Sequence, residues 1–473
     1  MLYLEAGTWY HLKDKIIARC RRLSVKRQRW YAVVLCLALL GGCGLKEEEK
    51  PIQSTQVQDN GYVGMNGDHP ELNYEITPMR PGVLTDQTGY DSDSTKVVLF
   101  LGSSLGDSFQ VIDAESGSTV YSGEIEYSGI DPQSGERVSY GVFTGLVENG
   151  DYYIKTSVIG ESYPFSISDS LYTDVFRSAC IQFQSLWETE AGYRPQELQK
   201  DAETICNLLI AFEYYTGIFQ DDLGIDGSGN DIPDLLDIIR NRVNVILTVD
   251  SRELSYEQLA CYTGILAQFA QDYKSFDAVY ADACLTKAQE AFRMLEQSKE
   301  PPQDESYYFY ALSQLYRATG YGNYHTQLKN ILKQGAVSGE MAFYGNVAYM
   351  SCKYKVDADL CSGIMTALMN EAEEISQISS KDPYLVCGYD LQAICENMSK
   401  LALVNYVITN HEYVTVQENH LHYLLGRNPA GLSYISGTGY QSAETEECIS
   451  ADSYQSSALV FMMSEIIREE MSD

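Results

Sequence analysis

His422-Tyr423-Leu424-Leu425-Gly426-Arg427-Asn428-Pro429-Ala430-Gly431-Leu432-Ser433-Tyr434-Ile435-Ser436-Gly437-Thr438-Gly439 is the stretch on which the fold assignment turns. It lies late in a region of helical periodicity that begins after Leu171. Leu259, Tyr262, Ile265 and Phe269 recur at helical spacing, as do Ala311, Leu312, Leu315 and Tyr316. Roughly a dozen such segments are punctuated by breakers at Pro301-Pro302, Gly320 to Gly322, Gly335 and Gly388. Many helices of similar length predict paired helices arranged as an α/α toroid. Periodicity alone leaves a closed toroid and an open solenoid equally open.

Upstream, from about Met79 to Ser168, the pattern is that of short strands: Lys96 to Leu101, Phe109 to Ile112, Thr119 to Tyr121, Val138 to Phe143 and Tyr152 to Lys155. Turns at Ser116-Gly117, Ser134-Gly135 and Asn149-Gly150-Asp151 separate them, which predicts a β-sandwich. Residues 44–78 are polar and turn-rich and are expected to be a flexible spacer. The first 43 residues place eight Lys/Arg against two acids ahead of the apolar run Trp30 to Leu40, which is short for a bilayer span. Leu40-Gly41-Gly42-Cys43 closes that run in the manner of a bacterial lipobox. The expectation is a lipoprotein signal peptide over 1–43, lipidation at Cys43 and a location at the cell surface, anchored to a bacterial membrane by lipid alone; an ordinary signal peptide or short anchor is the alternative.

The chain carries a formal net charge of −33, and its basic leader makes the remainder more acidic still. Such a surface repels nucleic acid and anionic membranes and tolerates neutral polysaccharide. Nine cysteines follow Cys20, Cys36 and Cys43, several on apolar helical faces, such as Cys206 and Cys395. They are expected to be buried free thiols, with one or two disulfides as the alternative. No close pair has zinc-site spacing, so neither a metal nor another cofactor is expected.

The stretch quoted first resembles the "YLLGRNP-G-SYVTG-G" segment of glycoside hydrolase family 9, the cellulase or endoglucanase type, and further matches occur in the same order along the chain. Asp86-Gln87-Thr88-Gly89-Tyr90, Lys96, Gly150-Asp151-Tyr152-Tyr153 and Ser162 to Ile167 resemble the immunoglobulin-like module that precedes many of these catalytic domains. Ser228 to Asp237 is similar to "SGNGIPDLLDE", Ser313 to Gly320 to "ELYRATGD", and Cys387 to Asp390 falls where the family often has "WGSN". Asp234 and Asp237 also have a purely structural reading, as acids in the first turn of a helix that Pro233 opens. The resemblance implies an immunoglobulin-like β-sandwich over 79–168, followed by an all-α (α/α)6 barrel over 169–473 with a glycan cleft at one end.

Family 9 enzymes invert: one carboxylate activates water while a carboxylic acid across the cleft protonates the leaving oxygen, about 6.5–9.5 Å away. By the resemblance, the base comes from a "GGWYDAGDY" loop before the helix that matches Thr204 to Glu213. Here that loop reads Trp187 to Glu197, with no Asp between Asp174 and Asp201. The acid comes from a late "NEVAIDWNAPLV" helix, and the two alignments put Ser450 or Ala458 at its Glu. The "HHR" segment is missing as well, so catalysis is expected to be impaired. Glu188, Glu190 and Glu197 in the early loop and Glu444, Glu446, Glu447 and Asp452 in the late one could substitute, with Glu188, Glu190 and Glu447 as the leading candidates, against the plainer reading of solvated loop charges.

Sugar binding can outlive catalysis, because it rests on aromatic platforms rather than a tuned acid pair. Trp187, Tyr193, Tyr434 and Tyr440 are the candidate binding residues, with Trp187 packing the first helix as the structural alternative. The resulting expectation is a surface lipoprotein that binds β-glucan or a related neutral oligosaccharide in polysaccharide metabolism. An inverting endo-β-1,4-glucanase using displaced carboxylates and a scaffold without glycan affinity are the rivals.

Overall fold

The computed structural model describes residues 80–188, 193–299 and 303–470. The expected leader, Cys43, the spacer and Glu190 lie outside the described residues.

Nine strands precede the helices. β1 (Val83–Leu84), β3 (Val97–Leu101), β7 (Arg137–Val142) and β6 (Glu126–Ile130) form one sheet in the order β1-β3-β7-β6. β2 (Gly89–Tyr90), β9 (Phe165–Ile167), β8 (Gly150–Lys155), β4 (Ser108–Asp113) and β5 (Thr119–Glu124) form the other in the order β2-β9-β8-β4-β5. Alternation within the strands sends Val98, Phe100, Phe109, Val111, Tyr152 and Ile154 between the sheets, where Tyr90, Phe143 and Phe165 complete the core. Each of these larger side chains contributes about 1.5–3 kcal/mol by leaving water. β6 carried no sequence signal because Tyr127 and Ile130 face solvent, so its Glu126–Ile130 stretch has no apolar alternation to read.

Thirteen helices are described after the sandwich. α1 (Thr173–Ile181) and α2 (Phe183–Trp187) lead into α3 (Leu198–Tyr214), α4 (Asp234–Ile246), α5 (Tyr256–Tyr273), α6 (Ala278–Gln297) and α7 (Glu305–Thr319). α8 (Gly322–Gln334), α9 (Ala342–Met350), α10 (Ala358–Ser379), α11 (Leu391–Val407), α12 (His411–Leu424) and α13 (Ser453–Glu470) follow. α3, α5, α7, α9, α11 and α13 form the inner layer of an (α/α)6 barrel, which closes where α13 packs on α3. These helices are buried over most of their surface, whereas α6, α8 and α10 keep a polar outer face. Local chemistry sets their ends. Ser255 and Gln258 form a reciprocal capping box at the start of α5, Asp304 and Asp390 cap α7 and α11, and Gly320 in the left-handed region (φ 70°) ends α7.

The inner helices run parallel, so their N-terminal ends meet at one mouth of the barrel and their C-terminal ends at the other. Gln199, at the start of α3, bonds Glu340 just before α9, and Lys200 pairs with Asp452 just before α13. At the far end, Glu213 of α3 meets Arg317 of α7, and Asn405 of α11 donates to Glu465 of α13 (2.7 Å). α5 and α7 approach so closely that a Cβ on Gly264 would lie 2.1 Å from the Tyr310 ring. All nine described cysteines are free, and eight of them are buried.

Candidate functional site

The quoted landmark stretch serves first as a socket for the sandwich. Gln87 inserts into it: Nε2 donates to the carbonyl of Gly431 (2.8 Å), Oε1 accepts from the amides of Tyr440 and Gln441 (2.9 Å each), and its own amide donates to the Leu425 carbonyl (2.8 Å). Gly426 and Gly439 have positive φ, and a Cβ on either would come within 2.9 Å of the Gln87 side chain, so glycine is required there on both counts. Asp86 Oδ2 and His422 Nδ1 share a fully buried hydrogen bond (2.9 Å), and burial with the nearby Arg427 charge keeps that imidazole neutral. Arg427 donates to Asn419 Oδ1 (2.7 Å), while Asn428 Nδ2 donates to the carbonyls of Tyr423 (2.7 Å) and Leu432 (2.6 Å). Arg427 and Asn428 therefore organise the turn and its contact with the sandwich.

The candidate aromatic residues divide between places. Tyr440 is 59% exposed and stacks in parallel on Tyr163 of the sandwich (5.7 Å between centroids), so it belongs to the contact between the domains. Tyr434 is half-buried against Tyr423 (6.5 Å), which in turn faces Tyr389 (6.3 Å). Trp187 and Tyr193 are brought together around a cation. The Arg242 guanidinium of α4 lies 5.7 Å from the Trp187 ring centre and 4.7 Å from that of Tyr193. Phe183 packs on Trp187 as well (5.2 Å), so the structural reading of this Trp describes at least part of what it does.

Arg242 also holds the acids that follow the early loop. Nε donates to both oxygens of Asp201 (3.0 and 3.1 Å), and Nη2 to Glu197 (2.7 Å). Tyr193 Oη donates to Asp201 Oδ2 (2.7 Å). Burial pushes the Asp201 carboxyl up despite the guanidinium. At Glu197 burial pushes the same way, but hydrogen bonds from Arg242 and Arg194 outweigh it and leave the carboxyl below its usual value. Of the carboxylates expected to substitute, Glu188 is exposed at the end of α2, and Glu447 is exposed in a 3-10 turn (Thr445–Glu447) beside Tyr434. Ser450 is half-buried with its Oγ out of water, and Ala458 is buried within α13. Asp234 accepts from Leu223 N (2.6 Å) and Ser228 Oγ (2.8 Å), and Asp237 from Asn230 Nδ2 (2.8 Å), so both tie down the loop before α4.

The mouth itself holds an acidic group that sequence reasoning missed. Glu203 sits on α3, and burial, followed by the charges of Glu340, Glu396 and Asp452, pushes its carboxyl up to about 7, with Lys200 opposing. It has no hydrogen-bond partner among the described residues. Its neighbours are committed elsewhere: Glu340 accepts from Gln199 (2.6 Å) and Tyr307, and Asp452 pairs with Lys200. One turn deeper, Asn207 donates to Ser457 Oγ of α13 (3.0 Å), and the phenols of Tyr344 and Tyr454 lie within reach of the Glu203 charge. A carboxyl poised between its two protonation states at neutral pH can donate or accept a proton, and the surrounding carboxylates can accept hydrogen bonds from neutral hydroxyls. One signal was present in the sequence: Glu203 and Asn207 are polar positions one turn apart, flanking the apolar pair Ile205-Cys206.

Comparison with known proteins agrees with this architecture. The cellulase N-terminal ig-like domain model matches residues 79–161, and the glycosyl hydrolase family 9 model matches residues 237–447. A cellodextrinase of Butyrivibrio fibrisolvens is 23% identical over a 469-residue alignment that takes in 76% of this chain and 85% of that protein. Endoglucanase D of Acetivibrio thermocellus is 20% identical over 428 residues, 69% of this chain and 68% of that one. Among solved structures, a metagenome-derived glycoside hydrolase family 9 endoglucanase superposes with a TM-score of 0.70 at 18% identity, covering 81% of this chain and 98% of its own. A Bacteroides ovatus family 9 protein does so with a TM-score of 0.69 at 16% identity, covering 82% and 99%. With the sandwich and the barrel matched in this order, the chain is a cellulase-type immunoglobulin-like domain joined to a glycosyl hydrolase family 9 domain.

Proposed function

We propose that the protein is an exported, lipid-anchored cell-surface protein whose family 9 domain binds β-glucan (cellulose-type) oligosaccharides at the barrel mouth, with hydrolysis impaired. The observation that carries this reading is the commitment of the acids after the early loop: Glu197 and Asp201 are both tied to Arg242, while Glu188 and Glu447 stand exposed. The family match begins at residue 237 and ends at 447, short of both segments from which the family draws its carboxylates. The mouth keeps acceptors suited to sugar hydroxyls in Glu203, Glu340 and Asp452. Single contacts of this kind contribute about 1 kcal/mol, so several are needed for even millimolar affinity. Calorimetric titration of cello-oligosaccharides against the parent, Glu203→Gln and Trp187→Phe tests it. Heat from the parent that weakens in Glu203→Gln is expected. No heat at millimolar sugar would leave the scaffold reading in place.

A second reading has its own observation. Glu203 has the protonation behaviour of a general acid, and with a carboxylate across the mouth to deprotonate water it would support inverting hydrolysis. Release of reducing ends from soluble β-1,4-glucan, abolished by Glu203→Gln and unaffected by Glu188→Gln or Glu447→Gln, would establish it over the binding reading.

A further inference from the structure

At the end of the barrel opposite the mouth, three inner helices meet through two carboxylates and one guanidinium. Glu213 comes from the last turn of α3, Asp272 from that of α5 and Arg317 from that of α7. Arg317 is 4% exposed and its Nη2 binds Glu213 Oε2. Asp272 Oδ1 accepts only a long bond from the Gln271 amide (3.3 Å). The remaining oxygens, Glu213 Oε1 and Asp272 Oδ2, are both buried and both without a donor. They belong to side chains near enough to share a hydrogen bond. Two ionised carboxylates in that position would leave one net negative charge buried against a single guanidinium, whose own Nε is also without a partner, an arrangement whose cost exceeds that of holding a proton.

We propose that Asp272 and Glu213 share one proton in the native state, so that the C-terminal ends of α3, α5 and α7 are joined by a carboxyl-to-carboxylate hydrogen bond balanced by Arg317. The proton lies between Asp272 Oδ2 and Glu213 Oε1 and satisfies both. One positive and one negative charge then remain, and the cluster is neutral. The other titratable groups facing it, Tyr214 and Cys206 of α3 and Cys352 just after α9, are held in their neutral forms by burial, so they add no charge below alkaline pH. Burial raises the Asp272 carboxyl, and the Glu213 charge raises it further, in agreement with the geometry.

The device is sensitive to pH in a fixed direction. An unfolded Asp gives up its proton near pH 4, whereas the native pair keeps one well above that. The native state therefore binds one more proton than the unfolded state across that window, and stability falls as pH rises, by about tenfold in the folding constant per pH unit. Below about pH 4 the contribution is fully present.

The test compares urea unfolding of the parent, Asp272→Asn and Glu213→Gln between pH 5 and 8. Either amide supplies a fixed donor in place of the shared proton. The variant that folds is expected to lose about a tenfold change per pH unit from the slope of the parent. A parallel slope in parent and variant overturns the proposal. The parent alone supplies a second check through carbon-13 NMR of its aspartate side-chain carboxyls. A native aspartate carboxyl still protonated above pH 6, and absent from Asp272→Asn where that variant folds, is expected. A parent in which every aspartate carboxyl is ionised by pH 5 overturns it without recourse to a variant.

Discussion

Replacing Gln87 by Ala probes the join between the sandwich and the barrel, and its magnitude follows from three hydrogen bonds. The substitution removes the donor to Gly431 O and the acceptor shared by the amides of Tyr440 and Gln441. A typical net hydrogen bond contributes about 1 kcal/mol, and a buried partner left unmet costs about 1–3 kcal/mol. Tyr440 is exposed, so water can replace the bond at its amide, whereas the Gly431 carbonyl sits in a buried turn. The expected loss is about 3 kcal/mol, or roughly a hundredfold in the opening of this contact. Hydrogen exchange is the matching assay, because two reporters, the amides of Tyr440 and Gln441, end on the deleted side chain. Their protection should fall by about that factor while amides in the core of α5 keep theirs. Unchanged exchange at both amides, with a denaturation midpoint equal to that of the parent, would refute the idea that Gln87 fastens the landmark turn.

Arg242→Ala should cost about 3–5 kcal/mol in urea unfolding, since it strands the Asp201 carboxylate, 2% exposed, without its guanidinium; adding Asp201→Asn should recover much of that loss. Glu203→Gln should flatten the pH dependence of stability between about pH 4.5 and 7, because the raised Glu203 carboxyl gives the native state the extra proton there and stability falls as pH rises; an unchanged denaturation profile would count against its placement. Gly264→Ala forces α5 from α7 at Tyr310 and should cost about 1–3 kcal/mol, read as a lower Tm. Cys43→Ala should abolish lipid modification and release the protein from membranes; a variant that stays membrane-bound would make the apolar run itself the anchor.

The sequence carried most of the architecture because the architecture depends on local patterns. Short apolar β-type runs, continuous in Val97–Leu101 and alternating in Ser108–Asp113 and Gly150–Lys155, marked the strands between their turns. Residues such as Leu259, Tyr262, Ile265 and Phe269 marked the buried face of α5. Pro233 with Asp234 and Asp237 marked the start of α4, and the hydrogen bonds of both acids run to the loop before the helix rather than capping its amides. β6 escaped because an exposed edge strand needs no apolar alternation.

The site was legible only in part. Trp187 and Tyr193 could be named from their place at the early loop, but that they close on Arg242, 49 positions beyond Tyr193, follows from α2 packing on α4, and no spacing rule encodes it. Tyr440 lies beside a cleft-forming segment in sequence and against Tyr163 of the sandwich in space. By itself, then, the sequence determined the acidic composition, the order of a β-sandwich and a helical barrel, and the absence of aspartates from the early loop. Tertiary structure alone decided which carboxylates matter, because a pKa depends on burial and on charges brought from distant helices: burial, followed by Glu340, Glu396 and Asp452, poises Glu203 near neutrality, and burial, followed by the Glu213 charge of a neighbouring inner helix, raises Asp272.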